Sequence, residues 1–348
     1  MTAERQTRPG SSRRFPRWSR SPALIALAVT ALIALLASWH KGAYVLVDTI
    51  VVGGMWSLLA LGLSLMFSVM NIPNFSYGEF FMIGTLAAYY IFNPINDYLF
   101  NHPGSWLVLA APFLAVGGAM IAGAAAGAVA EKLLFYQLRK KTREEWLLNC
   151  FTLTVGLSVI LINGHQLIFG ADFKGIVAYW DVSAVPIFGV RISVERIFAF
   201  LLSLLAMIVF WVFLKFTQTG RAIRAVAENE AGAEMVGINT NSIQTLTMAL
   251  SCGLGALAGG TLLFMFPSTP TVGIIPLFYG WFVVIAVGMG NLAGTVVGGF
   301  IVALVQVLTR VYIGEGLEFV VPSALMVLIL LVKPSGILGA EVRGIWDR

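Results

Sequence analysis

The chain has 348 residues, of which 58% are hydrophobic and 11% charged, and its formal net charge is +5. An ordinary soluble domain carries about 25% charged residues, so the composition excludes a soluble globular protein; the long apolar runs, which lack two-residue alternation, argue against an outer-membrane barrel. The basic surplus lies in the gaps between apolar runs, where it reports topology and gives no reason to expect nucleic-acid binding, and the fold class is all-α, a polytopic membrane helix bundle.

Residues 1–20 carry Arg5, Arg8, Arg13, Arg14, Arg17 and Arg20 among Ser, Pro and Gly. Such a segment cannot bury a core, and a disordered, cytoplasmic tail is expected. The apolar run 22–39 follows at once, and residues 21–348 are read as the transmembrane domain. A basic stretch before an apolar run is also the form of a secretory signal peptide, but this run ends without a small-x-small cleavage site, so a retained first helix is expected.

Further apolar runs occupy about 44–70, 75–92, 106–130, 147–169, 194–214, 243–266, 274–289, 294–313 and 318–332, making ten with the first. Runs 274–289 and 318–332 are short for a hydrocarbon core about 30 Å thick; they are expected to tilt, re-enter or lie buried, which leaves eight to ten spans. With ten, the loop 131–146 (Lys132, Arg139, Lys140, Lys141, Arg143), the loop 215–242 (Lys215, Arg221, Arg224) and the end (Lys333, Arg343, Arg348) fall on the side of the tail. Base concentrates in cytoplasmic loops, so both termini are expected in the cytoplasm. The opposite gaps hold only Lys41, Lys174 and Arg191.

Glycines four apart (Gly123 and Gly127, Gly255 and Gly259, then Gly290, Gly294 and Gly298) share a helical face and let backbones approach, a packing device first. Two short breaks, Asn71–Asn74 and Pro267–Gly273, each hold a proline in apolar territory. Broken helices line solute sites in many transporters, and with ten spans these two breaks would be five helices apart, as in an inverted repeat. The first runs into Ser76 and Glu79, the spacing of a capping box, which would make them a well-started helix and nothing more. On the functional reading, Asn71, Asn74, Ser76 and Glu79 bring polar groups to a cavity. Thr152 and Thr154 from the 147–169 span are expected to meet them there, with Phe80, Met82 and Leu153 as apolar wall.

Between two apolar blocks lies Gly220–Asn239, GRAIRAVAENEAGAEMVGIN, with Arg221, Arg224, Glu228, Glu230 and Glu234 on one face. Ala222, Ile223, Val226, Ala233 and Val236 recur near helical spacing and Gly237 stops the segment, so it is either an interfacial connector or a partner-docking helix. No phosphate-binding loop, HExxH, GxSxG or buried carboxylate pair occurs, so no enzyme site and no cofactor are expected. Asp48, Glu131 and Glu195 sit at span ends and make no proton relay. Cys150, Cys252, His40, His102 and His165 are scattered, without metal-ligand spacing.

Five segments, in order, resemble the permeases of branched-chain amino acid ABC importers, specifically the H-type subunit: IPNFSYGEFFMIGTLAAY at 72–89, LTVGLSVILING at 153–164, the 220–239 segment, AVGMGNLAGTVVGGF at 286–300 and KPSGILG at 333–339. Asn74, Gly78 and Glu79 match the H-type pattern NFAHGE, while Tyr77 stands where His is typical. The resemblance implies an inner-membrane permease subunit passing branched-chain or other hydrophobic amino acids inward by alternating access. It further implies an M-type second permease, two cytoplasmic ATPase subunits that hydrolyse ATP, and a periplasmic or lipid-anchored solute-binding protein. Residues 215–242 would then be the region that couples to the ATPase, through Arg221, Arg224, Glu228, Glu230, Glu234 and Gly237. Related urea permeases share much of the pattern, leaving a urea or short-amide permease as one alternative and a self-sufficient channel or ion-coupled carrier as another.

Overall fold

A computed structural model describes residues 22–102, 105–141, 146–176, 179–180, 184–187 and 189–338. The basic tail, Arg143, Arg343 and Arg348 lie outside the described residues. Every predicted apolar run forms a helix: α1 (Pro22–Lys41), α2 (Tyr44–Met70), α3 (Tyr77–Asn101), α4 (Leu107–Ala130), α6 (Trp146–Phe169), α7 (Val194–Phe216), α10 (Thr240–Leu262), α11 (Ile274–Val287), α12 (Leu292–Tyr312) and α13 (Val320–Val332). A π-helical turn, Glu131–Phe135, joins α4 to the short α5 (Tyr136–Lys141), and the polar segment folds as α8 (Gln218–Glu228) and α9 (Glu230–Met235). Eight helical segments among the described residues are long and apolar enough to cross a membrane.

Three elements differ from the sequence expectation. Helix α3 continues past residue 92 to Asn101 through Pro94; Asn93, Asn96 and Asp97 dilute its hydropathy without breaking it, and the proline removes only one backbone bond. Residues expected to be plain loop form a hairpin of β1 (Val185–Ile187) and β2 (Val190–Ile192), with Val185 opposite Ile192, Pro186 opposite Arg191 and Ile187 opposite Val190. Gly290 belongs to no helical glycine row: it sits at φ +86° in the turn between α11 and α12, a conformation that suits glycine.

Helices α2 and α10 are buried along most of their length, whereas α1, α6, α7 and α13 turn exposed apolar side chains outward, among them Leu36, Ile160, Val209 and Leu331. That is the burial expected of a bundle whose outer solvent is lipid. Small residues bring the central backbones together. Gly123 and Gly127 of α4 face Ala256 and Cys252 of α10, and Gly255 and Gly259 on another face of α10 receive Tyr77 and Phe81 of α3. Gly84 of α3 lies on the backbone of Ala256, Gly53 of α2 takes the ring of Phe300, and Gly294 and Gly298 of α12 face α11. Residues 333–338 dock on the end of α11: Ile337 N–H donates to Ala286 O at 2.8 Å and Leu338 N–H to Val287 O at 2.9 Å.

Candidate functional site at two helix breaks

Both breaks turn back into the bundle and meet. Helix α2 ends at Asn71, which takes the left-handed conformation (φ 56°) that asparagine tolerates. The chain then climbs beside the last turns of α2 until Tyr77, at the start of α3, reaches Leu59 O (3.0 Å) and Ser251 O (3.2 Å) with its hydroxyl. From the other side, residues 263–273 fold inward after α10 and place Gly273 against the backbone of Gly78; neither position has room for a Cβ. The N-termini of α3 and α11, with their positive dipole ends, thus approach each other deep in the protein. Helix α11, at 14 residues, is only about 21 Å long. This half-length helix therefore runs from the junction to one end of the bundle.

The first break is polar and closed. Asn74 and Ser76 are fully buried, and Asn74 Oδ1 accepts from both the backbone N–H (2.8 Å) and the hydroxyl (2.7 Å) of Ser76. The expected capping box does not form: Ser76 is the N-cap residue but its hydroxyl turns back to Asn74, and Glu79 is instead bound by Ser158 of α6, Oγ to Oε1 at 2.8 Å. Glu79 is buried, and its other oxygen lacks a hydrogen-bond partner among the described residues. Thr154, buried on α6, reaches Pro73 O at 3.4 Å. Thr152 is exposed and, among the described residues, bonds only to Leu148 O of its own helix; two residues along a helix are about 200° apart, so it cannot share the face of Thr154. Tyr77 is a spacer: its ring lies against Gly62 of α2 and Gly255 of α10, which have no Cβ to obstruct it.

The second break floors a cavity of about 1380 Å³. Its wall comes from Trp56 of α2, Phe81 and Thr85 of α3, and Phe278 and Tyr279 of α11, and Leu263–Pro267 run along it. Phe80, Met82 and Leu153, the expected wall, are absent from its lining, and so are Asn74, Ser76 and Thr154. At its base Thr85 Oγ1 and Ser268 Oγ are 2.6 Å apart and buried, and Ser268 pairs with Lys174 through two backbone hydrogen bonds. Helical periodicity within one segment could not have found this lining, which is assembled from opposite ends of the sequence.

The polar segment lies at the other end. The cavity touches the first half of α2 and the last turns of α12, whereas Val226, Ala227 and Glu230 share a groove of about 460 Å³ with Phe67–Asn71 and the α11–α12 turn. It is two helices and not one, because Asn229 breaks it: Thr217 caps α8 by accepting from Gly220 N–H (2.9 Å) and Asn229 caps α9 by accepting from Gly232 N–H (2.9 Å). Gly220, Ile223, Val226 and Ala233 are buried against the bundle, but Val236, expected on that face, is exposed beside Met235 because the new helix restarts the phase and Gly237 (φ +85°) then turns the chain. The charged residues divide. All five are exposed, but Glu230 also accepts from Gln244 Nε2 and Glu234 from Thr240 Oγ1, both at 2.6 Å, tying α9 to α10. Beside them buried Glu131 pairs with Arg139 and accepts from Thr245 Oγ1 at 2.9 Å.

A membrane bundle with two opposed broken helices, a cavity at one end and a polar helical hairpin at the other has the architecture of a solute permease. The family model described as branched-chain amino acid transport system / permease component matches residues 45–330, and the chain belongs to that family. Among its relatives is the high-affinity branched-chain amino acid transport system permease protein LivH of Escherichia coli (strain K12), 28% identical over 83% of this chain and 93% of that one. The corresponding protein BraD of Pseudomonas aeruginosa is 27% identical over 84% and 94%. A probable branched-chain amino acid transport permease protein LivM of Methanocaldococcus jannaschii is 25% identical over 82% and 90%.

Proposed function

We propose that this chain is the H-type permease subunit of an ABC importer, passing branched-chain or other hydrophobic amino acids inward across the inner membrane by alternating access. It pairs with an M-type permease, two cytoplasmic ATPase subunits and a periplasmic or lipid-anchored binding protein. The observation that carries this reading is the placement of the cavity and of the α8–α9 hairpin at opposite ends of one bundle, with the two helix breaks between them. Similarity to both LivH and LivM supports a paired permease. In this reading Asn71, Asn74, Ser76, Glu79 and Thr154 form the moving partition of the translocation path, below a wide aromatic-walled cavity that suits an apolar side chain better than urea. Uptake of radiolabelled leucine by proteoliposomes holding the whole complex tests it. Uptake of urea in preference to leucine, or leucine uptake by the permease without ATPase, selects one of the two alternatives.

The orientation has its own test. Cysteines introduced singly at Lys140, Gln218 and Arg191, all exposed, in a chain with Cys150→Ala and Cys252→Ala, should divide by side in intact cells. An impermeant maleimide is expected to label position 191 alone; labelling at 140 or 218 with protection at 191 reverses the topology.

Coupling is tested at Arg224, which is exposed and has no bond to α10. Arg224→Glu should change stability by no more than about 0.5 kcal/mol while the ATPase no longer co-purifies. Glu230→Lys should in addition loosen α9, since it removes the acceptor for Gln244. Full ATPase recovery with Arg224→Glu and Glu230→Lys combined would refute docking at this hairpin.

A further inference from the structure

The mouth of the cavity carries a charge arrangement that helix packing alone does not require. Asp48, in the second turn of α2, receives two guanidinium groups: Arg196 Nη2 of α7 lies 2.8 Å from its Oδ1 and Arg310 Nη2 of α12 lies 2.7 Å from its Oδ2. Within this trio one carboxylate faces two permanent cations and leaves one positive charge, which Glu195 and Glu318 of the same cavity do not meet in an ion pair among the described residues. The carboxylate is 17% exposed and the arginines 29% and 31%, so water screens that charge only in part. A guanidinium carries five N–H donors, yet among the described residues Arg310 gives its side-chain hydrogen bond to Asp48 alone, Arg196 meets Asp48 as an ion pair, and Arg196 Nε is buried without an acceptor. Both arginines line the cavity, as do Glu195 and Glu318, neither of which is in an ion pair among the described residues. Next to them the cavity wall is rigidly aromatic: Trp56 stacks on Tyr279 with ring centres 4.6 Å apart, and its Nε1–H is fixed on Gln306 Oε1 at 2.8 Å.

We propose that Arg196 and Arg310, presented by Asp48, form a receptor in the permease itself for the carboxylate of a zwitterionic amino acid, with Glu195 and Glu318 facing its ammonium and the Trp56–Tyr279 wall taking its apolar side chain. Guanidinium groups match a carboxylate through paired N–H donors, and a zwitterion brings no net charge into the membrane. The site rests on the import function proposed above and adds a second selection step after release from the binding protein. Its arginines line the same cavity as Thr85, whose hydroxyl meets that of Ser268 at the base.

The test is equilibrium binding of tritiated leucine to the purified permease–ATPase complex without binding protein, with competition by leucinamide, which lacks the carboxylate, and by 4-methylpentanoate, which lacks the ammonium. Leucine is expected to compete best and leucinamide about tenfold or more weaker, with Arg196→Gln and Arg310→Gln each weakening leucine binding by about tenfold. Asp48→Asn removes the charge that presents both guanidinium groups and should weaken leucine binding more than leucinamide binding, whereas a purely structural clamp would weaken both alike; competition by leucinamide on the parent complex decides the matter should the variants fail to assemble. Equal competition by leucine and leucinamide, or parent-like binding in both arginine variants, overturns the receptor. If the parent complex still takes up leucine in proteoliposomes, only the receptor falls; if the parent takes up urea and not leucine, the import reading falls with it.

Discussion

Gly84→Ala should cost the bundle about 1–3 kcal/mol or more, while the same change at Gly156 should be neutral or stabilise by a few tenths to about 1 kcal/mol. Both glycines are inside helices, α3 and α6, so the intrinsic gain in helix propensity is shared. The surroundings decide the sign. A Cβ on Gly84 would meet the carbonyl oxygen, carbonyl carbon and Cα of Ala256, all backbone, which cannot rotate away; a Cβ on Gly156 meets nothing within 4 Å. Thermal unfolding and size-exclusion profiles in detergent should separate the two variants clearly. Equal midpoints would mean that α3 and α10 are not in backbone contact.

Asn74→Ala should be the most damaging truncation in the first break. Its side-chain oxygen holds both the N–H and the hydroxyl of Ser76 in a fully buried place, and each buried donor left unpaired costs about 1–3 kcal/mol. Ser76→Ala removes one bond and leaves no orphan donor, so it should be milder. The start of α3 also bears on Gly273 of the opposed break, and in the proposed mechanism this contact must re-form in each transport cycle. Leucine uptake with Asn74→Ala is therefore expected to fall by about tenfold or more, beyond any loss of protein in the membrane. Uptake per assembled complex equal to the parent would remove the first break from the path and leave it a helix start.

Much of the molecule was legible in its sequence, for reasons that differ by region. Every apolar run became a helix because a backbone in hydrocarbon must satisfy its own hydrogen bonds, and uninterrupted apolar stretches leave few other solutions. The glycine pairs of α4 and α10 pointed to close packing, and each pair does meet a neighbouring helix. Local polar spacing was less reliable. Ser76 and Glu79 have the spacing of a capping box, yet Asn74, two residues back in the same break, takes the hydroxyl of Ser76, and Ser158 of a distant helix takes Glu79. Thr152 and Thr154 look alike as neighbours, but helix phase sends one outward and the other to Pro73.

By itself, then, the sequence determined the class of protein, the helices and the isolation of one polar hairpin, because these depend on hydropathy and on short-range periodicity along the chain. Only the tertiary structure decided that the two breaks face each other at Gly78 and Gly273, that the cavity belongs to the second break, and that Asp48, Arg196 and Arg310 converge at its mouth. Asp48 and Arg310 alone are 262 positions apart. The distances within these groupings are set by how closely glycine-faced helices can approach, a property of pairs of helices that no single segment carries.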